Sequence, residues 1–251
     1  EDANPVAYSE REETGPIYVR GIAPGDVLAI EILDIAPVGH ASGRGMEGRT
    51  YHPGGGDLLP IRDGRVWFPG GLSTAVHMII GDSYVTPDGP LPPNPWDNGG
   101  NMDFRDICAG HTLLLKAALA GGLLVLGDVH AAQGDGEMAG VGAECAAVVT
   151  LRITRDEAYL PGVPTVFKPG GYVCIGSRPS YAEARDVAVG EASAILARRA
   201  GCTPDEARNY VLTVGSLRNG AGWMIGAASP PWPEWVTRMP VTVGIDVPTG
   251  E

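Results

Sequence analysis

The segment Gly127-Asp128-Val129-His130-Ala131-Ala132-Gln133-Gly134-Asp135-Gly136-Glu137 gathers three carboxylates, one imidazole and one carboxamide, and apart from Val129 only glycine and alanine separate them. It follows the apolar run Leu123-Leu124-Val125-Leu126. In an extended chain residues two apart share a face, so Asp128 and His130 would project together. One hard oxygen and one imidazole on a face suit zinc or a similar divalent ion. Gln133, Asp135 and Glu137 repeat the two-residue spacing and would line the next part of one site. Such a set suits metal-assisted hydrolysis, which needs an activated water, a polarised electrophile and a proton for the leaving group. A metal supplies the first two, and Glu137 or Asp135 would carry the proton beside Gln133. The plainer reading is an acidic, glycine-rich surface loop or a calcium-binding turn, and composition alone leaves it open. The D-x-D-x-D-G pattern of a calcium loop is not met, and the apolar entry with His and Gln among the carboxylates tilts toward a catalytic site.

Glu144 stands among Gly140, Val141, Gly142 and Ala143, just before the strand-like run Ala146 to Val149. A carboxylate entering an apolar strand needs a partner, either a metal or an arginine. A second cluster, Asn98-Gly99-Gly100-Asn101-Met102-Asp103, offers a carboxamide and a carboxylate after a glycine pair, and taken alone it reads as a turn. His40, His52, His77 and His111 form no HxH or HExxH pattern and read as structural, with His40 and His52 in glycine-rich loops. Cys145 reads as a buried, inert thiol rather than a nucleophile. Lys116 and Lys168 stand in no nitrilase-like Glu-Lys-Cys setting, and no Gly-Ser-rich loop suggests a serine amidase.

The elements that must position these groups are mostly short strands. Ile17 to Val19, Val27 to Leu33, Val66 to Phe68, Val76 to Gly81, Val148 to Ile153 and Val241 to Val247 read as strands. Thr112 to Ala118 and Leu123 to Leu126, around Ala120-Gly121-Gly122, read as a hairpin. Pro87 to Pro95 is a proline-rich loop. Two adjacent helices open at the capping boxes Ser180/Glu183 and Thr203/Glu206 and are split at Gly201. The expected fold is α+β and β-rich, with mixed sheets or a barrel-like β core, in one domain over residues 1–251.

With 44% apolar residues among 251 and mean hydropathy near zero, the chain reads as a soluble globular protein, and 37 Gly with 22 Pro argue for turns over long bundles. A net charge of −12 leaves no basic stripe for nucleic acid. The longest apolar stretch, Leu113 to Leu126, is too short and broken to span a bilayer, and the N-terminus lacks signal-peptide features. Four dispersed cysteines read as reduced thiols of a cytoplasmic protein.

The run at 127–137 resembles the signature of the acetamidase/formamidase family. Two further blocks agree in order: Thr14-Gly15-Pro16-Ile17-Tyr18-Val19 through Pro24-Gly25-Asp26 to Ile35, and Gly99 to Asp103. The resemblance implies a β-rich, oligomeric, metal-containing hydrolase of formamide, acetamide or related amides that releases ammonia. Lactam hydrolysis, or a metal- or ligand-binding β protein without catalysis, is the alternative. The resemblance further implies Asp128, His130 and Glu144 as metal ligands, with Asn101 and Asp103 contacting the substrate or supporting the site; the donor types put zinc ahead of calcium. Members carry an additional N-terminal segment before the Thr-Gly-Pro block, expected here to be missing or supplied by a small subunit. The loop Tyr51 to Gly56 and the Pro95-Trp96-Asp97 run depart from the family pattern. Trp96 would either narrow the pocket or anchor its loop.

Overall fold

The computed structural model describes residues 13–43, 57–90, 95–137, 140–219 and 239–246. His52 and the loop 51–56 lie outside them. In chain order the strands are β1 (Glu13–Ile17), β2 (Val27–Gly43), β3 (Asp57–Leu59), β4 (Ile61–Arg62), β5 (Arg65–Trp67), β6 (Ser73–Ala75), β7 (Ile79–Val85), β8 (Gly99–Asn101), β9 (Thr112–Lys116), β10 (Leu124–His130), β11 (Glu144–Asp156), β12 (Thr165–Lys168), β13 (Gly171–Arg178), β14 (Ser216–Asn219) and β15 (Met239–Asp246). The helices are α1 (Tyr181–Ala200) and α2 (Pro204–Val214).

A twelve-stranded sheet runs β14-β15-β13-β12-β9-β2-β11-β10-β7-β8, with β1 alongside β10 and β3 alongside β2, while β4-β5-β6 form a small second sheet. The fold is therefore α+β and β-rich, with two helices near the C-terminus. Among the described residues every strand pair is antiparallel and the large sheet does not close into a barrel, which corrects the mixed-sheet and barrel expectations.

The expected hairpin around Ala120-Gly122 does not form. β9 pairs with β2 and β12, whereas β10 pairs with β7, β11 and β1. Leu113, Leu114 and Leu115 are all buried, as are Leu124, Val125 and Leu126, so each strand is covered on both faces. A lone two-stranded hairpin could not provide that cover. The long β2–β11 ladder sets the frame of the site, and its bulge between Cys145 and Ala146 follows directly after Glu144. Such an irregularity re-aims the side chains next to it.

One face of the sheet buries Leu28, Ile30, Ile32, Leu113, Val166 and Val173 together with Phe104 and Ile107. The other packs Val27, Leu114, Tyr172 and Cys174 against Ala188, Ala192, Ile195 and Val211 of the helices. Both predicted capping boxes are formed, and Gly201 ends α1 in the left-handed conformation. A Cβ at Gly176 would lie 2.2 Å from the Ala184 carbonyl oxygen, so glycine sets how closely α1 approaches β13. Among the described residues no helix is long and apolar enough to cross a membrane.

Candidate active site

His130 is the last residue of β10 and stands directly opposite Glu144, the first residue of β11. Its ring is fully buried. Nε2 lies 2.8 Å from Glu144 Oε2 and 3.4 Å from Asp128 Oδ1. On the other side of the ring, Nδ1 lies 2.5 Å from Gln133 Oε1. The Gln133 amide donates from Nε2 to the Asp103 carbonyl at 2.6 Å, so its oxygen faces the imidazole and accepts the Nδ1 proton. Glu144 is held in turn, its Oε1 accepting from the Gly142 backbone N–H at 2.8 Å.

Two groups of ligand-type side chains share this histidine. Asp128, His130 and Glu144 bring one donor atom each to within 4.8 Å of one another, and so do Asp103, His130 and Glu137. Three of the five described non-glycine residues with positive φ are carboxylates of these groups: Asp103 at 50°, Asp128 at 56° and Glu137 at 36°. Such backbone persists only where surrounding structure holds it, and its concentration here points to a functional site.

Small residues make the convergence possible. A Cβ on Gly81 would sit 2.6 Å from Asp103 Oδ1 and 3.1 Å from Asp128 Oδ2. One on Gly142 would sit 2.7 Å from both Cγ and Nδ1 of His130. The Gly81 carbonyl also accepts from Met102 N–H at 2.9 Å and Asp103 N–H at 3.1 Å, which fixes the start of the Asp103 segment.

Burial is the largest influence on His130 and pulls its pKa down, yet the charges and hydrogen bonds of Glu144 and Asp128 outweigh it and hold the ring well above its ordinary 6.5. The Asp128 and Glu144 charges that favour an imidazolium here also favour a bound cation. Imidazole nitrogen and carboxylate oxygen are both donors to divalent ions such as zinc, so Asp128, His130 and Glu144 are of the types that hold one. Half-buried Cys145 is weakened as a nucleophile, because burial pushes its thiol up to about 11, with His130 lowering it and Glu144 raising it.

Among the remaining expected residues, Asp103, Gln133 and Glu137 reach His130's surroundings. Asn101 is buried in β8 opposite Asp82 and belongs to neither group. Asp135 also lies outside both, 3.5 Å from Arg218, because the turn closed by Glu137 N–H to the Gly134 carbonyl breaks the two-residue alternation of an extended chain. Glu144 faces His130, not the arginine considered as its alternative partner. His40 is exposed, His77 donates from Nε2 to the Arg105 carbonyl at 2.9 Å, and His111 lies 2.8 Å from the Asp106 carbonyl. Trp96 is a loop anchor, stacked 4.4 Å beneath Arg178, which also forks onto Asp97. Sequence reasoning did not single out Gly81, Gly142, Asp82 or Arg218. Asp82, buried within the apolar strand β7 and opposite Gly127, carried the only local signal among them.

Residues 89–188, which hold the second cluster, the 127–137 run and Glu144, match the model of the acetamidase/formamidase family. Over that stretch the chain is similar to the acetamidase/formamidase family. It is similar to an acetamidase of Mycolicibacterium smegmatis, 26% identical over 232 residues, a match covering 62% of this chain and 57% of that protein. A formamidase of Methylophilus methylotrophus is 25% identical over 224 residues, covering 62% of this chain and 55% of the relative. The chain thus spans little more than half the length of these two relatives. The solved structure of an acetamidase from Bacillus halodurans aligns with a TM-score of 0.76 at 28% identity, over 93% of this chain and 77% of that one. The family match and the site's geometry converge on the same stretch of chain.

Proposed function

We propose that the protein is a metal-dependent amidase that hydrolyses the carbon–nitrogen bond of a small amide of the formamide or acetamide kind and releases ammonia. The observation that carries this reading is the meeting of Asp128, His130 and Glu144 around one buried imidazole, in a chain similar to proteins named acetamidase and formamidase. Zinc suits a set that includes an imidazole better than calcium does, since calcium takes six to eight oxygens.

A divalent ion at this centre would lower the pKa of a water molecule and polarise the amide carbonyl. Gln133, by accepting the Nδ1 proton, leaves the Nε2 lone pair of His130 to face Asp128 and Glu144, and so selects the tautomer that can bind a cation. Glu137, nearly buried beside His130 and Asp103, is the group we assign to take a proton from the attacking water and deliver it to the leaving nitrogen. Asn101 and Asp103 are assigned to the substrate side, where a carboxamide and a carboxylate can pair with the amide's N–H and C=O groups.

The test is metal analysis of the purified full chain together with ammonia release from a panel of formamide, acetamide, longer amides and lactams. The expected result is about one equivalent of zinc and turnover of the smallest amides. Protein that holds its metal and releases no ammonia from any of them overturns the amidase reading.

A further inference from the structure

Arg218 lies on β14, at one end of the sheet order, whereas β10, β7 and β8 lie at the other. Its guanidinium nevertheless reaches two carboxylates that flank the site. One nitrogen donates to Asp106 Oδ2, and the other lies 3.5 Å from Asp135 Oδ1. Asp106 follows Asp103 by three residues, and Asp135 precedes Glu137 by two. The same cation therefore ties together the two segments that present Asp103 and Glu137 to His130.

Each segment needs holding. Asp103 and Glu137 both have positive φ, a conformation that relaxes unless its surroundings prevent it. The Glu137 turn is closed by its N–H on the Gly134 carbonyl at 3.2 Å and by the Gly140 N–H on the Glu137 carbonyl at 2.8 Å, and has Gly136 in the left-handed region. On the other segment Asp106 is 8% exposed, with Lys168 4.0 Å from its second oxygen. A planar guanidinium can face two carboxylates at once, which an ammonium cannot do with fixed geometry.

We propose that Arg218 is a positioning residue, a clamp from β14 that sets where Glu137 stands relative to Asp103 and His130. This rests on the amidase reading of the same site. The rival is a purely structural role, in which Arg218 only neutralises the buried charge of Asp106. The two separate at Asp135, because Asp135→Asn weakens the turn's half of the clamp and leaves Asp106 paired to both Arg218 and Lys168.

The experiment compares Asp135→Asn, Arg218→Gln and the double variant in the full chain by amide hydrogen exchange, zinc titration and formamide kinetics. In both single variants exchange over residues 134–137 should quicken by roughly tenfold while β15 is unchanged in Asp135→Asn. The kcat should fall by about tenfold or more with KM within about twofold, since a displaced proton carrier slows the chemistry more than binding. Zinc affinity should stay within about twofold in Asp135→Asn, because Asp128, His130 and Glu144 lie outside the clamp. The double variant should be no slower than Arg218→Gln alone. Unchanged exchange in Asp135→Asn, or single effects that multiply in the double, overturns the clamp. If the unaltered protein turns over no amide, the functional reading fails, and the exchange data still decide the clamp.

Discussion

Replacing Gly142 by alanine tests whether the packing around His130 sets the metal centre. The added methyl would lie 2.7 Å from Cγ and Nδ1 of the ring, whereas ordinary contact begins at 3.4 Å. The ring or the 142 backbone must therefore shift by about 0.7 Å, and cores resist such overpacking at a cost of about 1–3 kcal/mol. His130 has little freedom, being fully buried and held 2.8 Å from Glu144 and 2.5 Å from Gln133. If the backbone moves instead, the Gly142 N–H that orients Glu144 moves with it. Either response separates the imidazole from Glu144, so zinc affinity should drop about 10- to 100-fold, the range seen when the support of a metal ligand is removed. Competition with a chromophoric chelator measures this, and thermal melts of chelator-treated protein give the packing cost. Gly190→Ala is the matched control. Its methyl meets nothing within 4 Å, so it should leave zinc binding unchanged and stabilise α1 by about 0.5–1 kcal/mol. Native zinc affinity in Gly142→Ala would refute the reasoning that ring placement sets the site.

Three other outcomes follow from the same geometry. Because the folded His130 titrates above its unfolded value of 6.5, its contribution to the metal-free protein is fully present below about pH 6.5 and is lost as pH rises through the raised value. Melting temperatures of chelator-treated protein should therefore decline on that side relative to His130→Asn, and parallel profiles would contradict this. Gln133→Leu keeps the volume but removes the acceptor for Nδ1–H, so zinc affinity measured by titration should fall about tenfold, and an unchanged value would remove Gln133 from the site. Gly176→Ala drives a methyl against the Ala184 carbonyl and should cost about 1–3 kcal/mol in urea melts, while the zinc affinity of the folded fraction stays native.

Much of the frame was legible because its signals are local. The capping boxes at Ser180 and Thr203, with Gly201 between them, place both helices, since a side chain that caps its own backbone needs no distant partner. Alternation along Val148 to Ile153 marks the half-covered β11 for the same reason. Strand pairing was not legible. Leu113 to Leu115 and Leu124 to Leu126 looked like two arms of a hairpin because both are apolar and a glycine turn joins them, yet which neighbour covers an apolar strand depends on the rest of the sheet. Asp135 shows the same limit on a smaller scale: the spacing that would align it with Glu137 holds only for extended chain, and a turn at Gly134 ends that.

The sequence by itself determined the residue types the chemistry needs. It brought Asp128, His130, Gln133 and Glu137 within ten positions and Glu144 close behind, near enough along the chain to be read as one site and matched to a family. Tertiary structure decided which of them meet. Only the β10–β11 register sets Glu144 opposite His130, only the glycines at 81 and 142 leave room for the carboxylates and the ring, and only the approach of β14 brings Arg218 to Asp106 and Asp135. Charges attract over a few ångströms of space, and positions in sequence become such distances only after backbone pairing and side-chain volume have been settled.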